Sequence, residues 1–281
     1  MAKRKQWQDL TITDDYMFKL VMNYPHICKH LIEKVLRIKI ERIEYIENEK
    51  SYKNSYGSKG IRLDVYVQDE AHSRFMVEMQ VRDYGHREIS RRSRFYQSTI
   101  DFDFLAAGSA YKDLGNAAII FFCPFDLFDG ERRMYTFRNL CLENPAISLD
   151  DGMTKVFLSS TGQPTDDLDP DVAAFLDYMN GKLADNSFVQ EIDNEIRSLK
   201  TDGEKEAGYM TFQMRIDEER EDAREEARVE AYEKMAIKML RRLAKRQQPL
   251  DTSALTDIAE DAEISLERVQ ELARENGLAL H

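Results

Sequence analysis

Three polar residues, Asp64, Glu78 and Gln80, fall where two short strands would carry them onto one side of a sheet. In residues 60–68 the apolar side chains Ile61, Leu63, Val65 and Val67 have odd numbers, which turns Asp64 to the opposite face. In residues 74–81 the apolar set Phe75, Val77, Met79 and Val81 is again odd, so Glu78 and Gln80 share the even face. Between them, Asp69-Glu70-Ala71-His72-Ser73 is a polar loop suited to an antiparallel hairpin. A turn centred near Ala71 sets Asp64 opposite Glu78, with Cβ atoms about 5 Å apart. Two carboxylates that close repel each other unless a cation separates them, and hard oxygen donors suit Mg²⁺, or alternatively Mn²⁺. A slip of two residues keeps both acids on one face. The competing reading is a pair of acidic residues on the solvated face of a half-exposed hairpin.

The elements that must position this trio are legible around it. Residues 13–22 read as a helix with Thr13 as N-cap and acidic residues in its first turn. Residues 25–37 read as a second helix with Ile27, Leu31, Ile32, Val35 and Leu36 on its apolar side. Residues 39–47 alternate Ile with charge, as a strand does. Residues 86–110 look helical, with Ile89, Phe95, Tyr96, Ile100 and Leu105 available for burial. Residues 116–124 are nearly all apolar, the signature of a strand covered on both faces. Residues 133–137 and 154–158 are shorter strand candidates. Helices returning onto a sheet indicate an α/β sandwich over about residues 8–165.

Beyond it, residues 166–200 form a helical extension, with helices at 170–180 and 187–199. Residues 203–247 then hold one long helix, whose acidic and basic side chains at i and i+4 favour a solvated single helix. A homo-oligomer formed through it is the alternative. Residues 249–281 make a helical pair with helix-turn-helix spacing. Its second helix carries Glu267, Arg268, Gln270, Glu271 and Arg274, a poor basic surface for DNA, so a protein-contact or structural role is at least as well supported.

Composition narrows the classes. The 281 residues are 42% hydrophobic and 33% charged, with a net charge of -12, which argues against phosphate binding by the whole surface. Immediately after Gln80, however, come Arg82, Arg87, Arg91, Arg92 and Arg94 against only Asp83 and Glu88. Arg87, Arg91 and Arg94 recur at i, i+4 and i+7, a helical stripe suited to nucleic-acid phosphates or, equally, an exposed face paired with Glu88 or the acidic tail. Arg62 shares parity with Asp64. Phe95 and Tyr96 offer base stacking, though core packing is the better reading of their spacing. No apolar run reaches the ~20 residues of a membrane span, and the opening residues lack the apolar core of a secretory signal. Cys28, Cys123 and Cys141 are three in number and have no zinc-like spacing, so a reduced, cytoplasmic setting is expected. The five histidines form no metal spacing.

The order Asp64, then Glu78-Met-Gln80, resembles the Asp…(Asp/Glu)-x-Lys pattern of restriction-endonuclease-like nucleases, with Gln in place of Lys. Together with Thr13-Asp-Asp-Tyr-Met-Phe-Lys19, Leu63-Asp-Val65, the Arg- and Tyr-rich stretch 91–99 and the apolar stretch 117–122, the chain resembles the recombination-promoting nuclease / putative transposase family of the PD-(D/E)XK superfamily. The resemblance covers about residues 8–180. It implies a restriction-endonuclease-like mixed sheet flanked by helices and a Mg²⁺-dependent DNA endonuclease linked to mobile elements and recombination. Carried over, Asp64 and Glu78 are the expected metal ligands, Gln80 the counterpart of the superfamily lysine, and Asp15 the acidic residue of the first helix. Asp15 is read equally well as a helix cap. A glutamine offers a neutral dipole where lysine offers charge, so more electrostatic work falls on metal and arginine. RNA remains a substrate alternative. A catalytically weak DNA-binding or regulatory module, and an assembly component using the C-terminal helices, are the rival functions.

Overall fold

The computed structural model describes residues 5–46, 64–105, 110–163, 167–246 and 248–278. Arg62 and the first part of the expected strand 60–68 lie outside the described residues.

The chain divides into two compact units, residues 1–206 and 207–281. The first is an α/β unit around a six-stranded mixed sheet in the order β1-β2-β3-β4-β6-β5. The strands are β1 (Ile43–Tyr45), β2 (Val65–Asp69), β3 (Arg74–Met79), β4 (Ala117–Cys123), β5 (Met134–Phe137) and β6 (Met153–Ser159). β1 and β2 pair antiparallel, as do β2 and β3; β3, β4 and β6 are parallel; β5 closes the far edge antiparallel to β6. β1 is shorter than the alternation over 39–47 predicts: its three residues pair with Asp69, Gln68 and Val67 of β2.

Register follows from the turn. Gln68 pairs with Arg74 and Val65 with Val77, so the hairpin is centred on residue 71. Asp69 fixes it: its Oδ1 accepts from the backbone N–H of Ala71 at 3.0 Å and of Ser73 at 2.7 Å. A carboxylate gathering two backbone donors is an Asx-type turn, which pins the loop length and hence the pairing.

β3 and β4 are parallel and need a crossover, supplied by helix α3 (His86–Phe104). Gly85 makes the entry into it. Its φ of +80° is a conformation that side chains disfavour, and its N–H donates to Asp83 Oδ1 at 2.7 Å. α3 lays Ile89, Tyr96 and Ile100 onto Tyr66, Met76, Ile119 and Phe121. Phe121 stacks between Tyr96, at 6.2 Å, and Phe157, at 5.2 Å. The opposite face is closed by α1 (Asp15–Met22), α2 (Pro25–Leu36) and α4 (Pro170–Met179), where Phe122 meets Phe18 and Phe175. All seven residues of β4 are buried, as expected of a strand covered on both sides. α5 (Ser187–Lys200) adds a further amphipathic layer, capped by Asn186, whose side chain accepts from Val189 N–H.

The residue beginning α1 differs from expectation. Asp14, not Thr13, occupies the N-cap, and its carboxylate turns back to Thr11 and Lys5 rather than capping. Gly162 marks a close crossing of backbones: a Cβ there would sit 2.3 Å from Arg132 O. Gly162→Ala is therefore expected to cost about 2 kcal/mol, read as a lowered midpoint in denaturant unfolding.

Helix α6 (Gly203–Lys245) is the long charged helix. Its exposed side chains pair locally, Glu225 with Arg228 at 2.7 Å and Asp217 with Arg220 at 3.8 Å. Within the second unit, Ala236 and Leu240 near its end pack with α7 (Thr252–Asp261) and α8 (Leu266–Glu275) around Leu255, Ile258, Val269 and Leu272. No helix among the described residues is long and apolar enough to cross a membrane.

Candidate active site

Asp64 ends the described approach to β2 and extends the β2–β3 register by one pair, which places it opposite Glu78. The two residues interlock across the strands. Asp64 N–H donates to Glu78 Oε1 at 3.0 Å, and Met79 N–H donates to Asp64 Oδ2 at 3.1 Å. The even face is not solvated, contrary to the half-exposed alternative: α3 covers it, leaving Asp64 9%, Glu78 2% and Gln80 5% exposed.

Two cations close the cluster from opposite sides. From α1, Lys19 Nζ lies 3.0 Å from Asp64 Oδ1 and 3.1 Å from Asp15 Oδ1. From α3, Arg92 Nη2 lies 3.3 Å from Glu78 Oε2, its Nη1 donates to Gln80 Oε1 at 2.7 Å, and its Nε donates to the Tyr96 hydroxyl. Gln80 is engaged at both ends of its amide, since Nε2 donates to Arg82 O. Its own N–H extends the parallel ladder to Phe122 O at 2.8 Å, which anchors the residue beyond the last position of β3.

Burial dominates the electrostatics. It pushes the Asp64 carboxyl up to about 7, with the Asp15 charge adding and Lys19 opposing. Burial likewise raises Glu78 well above the usual carboxylate range, with Asp64 adding and Arg92 opposing. Two acids placed this close, in so little water, hold their charge poorly without a further cation.

The sequence-derived residues separate into two groups. Asp15, Asp64, Glu78 and Gln80 are brought together. Asp15 Oδ1 is buried without a hydrogen bond, and its side chain faces Lys19 instead of capping α1. Arg87, Arg91 and Arg94 lie exposed on α3 and, among the described residues, take no part in this network. They form no ion pair with Glu88 either, so the stripe stays available to solvent. Tyr96 is core and hydroxyl partner at once; Phe95 is 43% exposed. His30 pairs with Asp171 at 2.7 Å and His26 with Glu191 at 3.1 Å, away from the acids. Burial pushes both Cys28 and Cys123 up to about 12, which leaves them unreactive as nucleophiles.

Sequence reasoning missed Lys19 and Arg92 as members of the site. Each had a local signal: Lys19 stands four residues after Asp15 on one helix, and Arg92 three after the buried Ile89 and four before the buried Tyr96. Two cavities, of about 420 and 520 Å³, lie elsewhere, the first at the opposite end of β3 and β4 around Ser73, Phe75 and Asn116.

The donor set fits a hard divalent ion in part. Asp64 and Glu78 provide two facing carboxylates, and the Lys19 ammonium already sits as a cation between Asp64 and Asp15. Among the described residues no three His, Cys, Asp or Glu side chains form a complete cage.

A family model described as PD-(D/E)XK nuclease family transposase matches residues 12–159, more than half of the chain. No curated protein and no solved structure matches.

Proposed function

This chain belongs to the PD-(D/E)XK nuclease family transposases, and from that premise we propose that it is a Mg²⁺-dependent DNA endonuclease acting in recombination or on mobile elements. The observation that carries the reading is the facing Asp64–Glu78 pair, buried at the strand ends with both carboxyls raised.

In this reading Asp64 and Glu78 would hold the ion, with Mn²⁺ as a substitute. The chemistry such an ion supplies when bound is polarisation of a phosphoryl oxygen and a lowered pKa for water. Asp64 is oriented for this by Met79 N–H, and Glu78 by Arg92, so neither carboxylate is free to turn away. Asp15 stands behind Lys19 and sets how firmly that ammonium is held against Asp64. Lys19 Nζ, 3.0 Å from Asp64 Oδ1, holds that carboxylate and would compete with a cation bound by it. Arg87, Arg91 and Arg94 line the exposed side of α3 as a track for the nucleic-acid backbone.

The C-terminal unit supports a protein contact better than DNA reading. Arg268 of α8 is taken by Glu233, Glu271 and Glu275, which removes one of the helix's two arginines from any phosphate. Self-association through α6 is the corresponding partner proposal. Light scattering on the full chain tests it, a monomeric mass ruling for the solvated helix.

The direct test of function is incubation of supercoiled plasmid, single-stranded DNA and RNA with Mg²⁺ or with chelator. Nicking or linearisation that needs the ion is expected with DNA. Preferential cutting of RNA would reassign the substrate, and no cutting of any polymer with Mg²⁺ or Mn²⁺ would remove the reading.

A further inference from the structure

The position that the superfamily motif gives to lysine is Gln80 in this chain, a neutral residue 5% exposed. A buried amide tied at both ends has little to offer a phosphate. What it holds, however, is charged. Gln80 Oε1 accepts from Arg92 Nη1 at 2.7 Å, and the same guanidinium is steadied by Glu78 and by Tyr96.

A guanidinium has five N–H donors. Three are committed here: Nε to Tyr96, one on Nη1 to Gln80 and one on Nη2 to Glu78. Each terminal nitrogen keeps one N–H, and the Arg92 side chain is 33% exposed where Glu78 is 3% exposed. The group therefore keeps two uncommitted N–H donors beside the acids. Two donors on one planar cation can meet the non-bridging oxygens of a phosphate, an arrangement that an ammonium does not reproduce.

We propose that Arg92 is the phosphate-contacting cation of this site, in the role the motif assigns to lysine, and that Gln80 is a positioning residue that acts through it. The inference rests on the nuclease reading above. The two changes belong together physically. A lysine at 80 would press a like charge against the guanidinium, whereas an amide oxygen accepts from it. Arginine stays protonated throughout the working range, so its contribution is charge and orientation and not proton transfer.

The test compares the full-length wild type with Gln80→Lys, Arg92→Ala, Arg92→Lys and the double variant Gln80→Lys/Arg92→Ala. Initial rates are measured on plasmid with Mg²⁺, and binding of a fluorescein-labelled duplex is measured in Ca²⁺ over a range of salt. Arg92→Ala is expected to lose roughly 10²–10³-fold in rate. It should also lower the salt slope of binding by about 1. The double variant should recover at least tenfold over Arg92→Ala, because the lysine restores a cation once the guanidinium is gone. Arg92→Lys keeps a charge beside Glu78, so it covers a fold that fails in Arg92→Ala; its rate should fall at least tenfold with the salt slope kept, since charge remains and the fork is lost. An active wild type whose Arg92 variants cleave at its rate, or whose double variant does no better than Arg92→Ala, overturns the assignment and leaves the nuclease reading standing. A wild type that cleaves nothing removes both.

Discussion

Glu78→Gln is expected to reduce cleavage by about 10³-fold while leaving the chain folded. The replacement is nearly isosteric at a residue only 2% exposed, so β3 keeps its packing. The amide oxygen still accepts from Asp64 N–H, the bond now made by Oε1 at 3.0 Å. What disappears is the charge: Arg92 loses its carboxylate, and Asp64 loses the second anion that the proposed divalent site calls for. Asp64→Asn should behave alike, because a single amide oxygen must then serve both Lys19 and Met79 N–H. Circular dichroism separates loss of chemistry from loss of fold. Retention of more than a tenth of the wild-type rate by Glu78→Gln, with Mg²⁺ saturating, would exclude Glu78 from the reaction.

The second large effect is on stability and needs no substrate. Asp64 and Glu78 both have folded-state pKa values above those of the unfolded chain, with burial as the first cause. The folded protein therefore binds protons that the unfolded chain has already released. The stabilisation is complete below the unfolded value near 4, fades as pH rises through the Asp64 value of about 7, and is gone above it. Metal-free protein at pH 8 should be less stable than at pH 5, with this cluster accounting for roughly 3 kcal/mol of the difference. Asp64→Asn isolates that share, since it removes one titrating group and its repulsion with Asp15 and Glu78. If the pair holds a divalent ion as proposed, excess Mg²⁺ at pH 8 should restore stability, because a ligand of the folded state that favours the charged carboxylates shifts the equilibrium toward it. Denaturant unfolding of both proteins at the two pH values decides the matter. An equal gap between wild type and Asp64→Asn at pH 5 and pH 8 would show that the buried acids do not carry the strain assigned to them.

The trio at the centre of the site was legible because strand periodicity is local. Odd numbering of Val65, Val67, Phe75 and Val77 fixes the parity of Asp64, Glu78 and Gln80 whatever the rest of the chain does. The turn was legible for a similar reason: five polar residues between two apolar runs leave one centre, and Asp69 holds it. β4 announced its double burial by being apolar throughout, and the long helix by having no proline and, after its first residue, only Gly208 within it.

Alternation alone left open what covers the even face. Tyr66 and Met76 share that face with Glu78, and they are buried only because α3 crosses back over the sheet. The helical stripe Arg87, Arg91 and Arg94 drew attention as the basic feature of α3, yet the arginine that enters the site is Arg92, on the flank of the buried face. Lys19 was readable as a helix residue, but its placement between Asp15 and Asp64 depends on α1 reaching the residue just before β2.

Sequence by itself thus determined which acids share a face and which segments are strands or helices, since both depend on intervals of two to four residues. Tertiary structure alone decided which cations meet those acids, how dry they are, and that Gln80 grips a guanidinium. Those outcomes come from a crossover helix and a first helix closing on the sheet from remote parts of the chain, contacts to which no short spacing gives access.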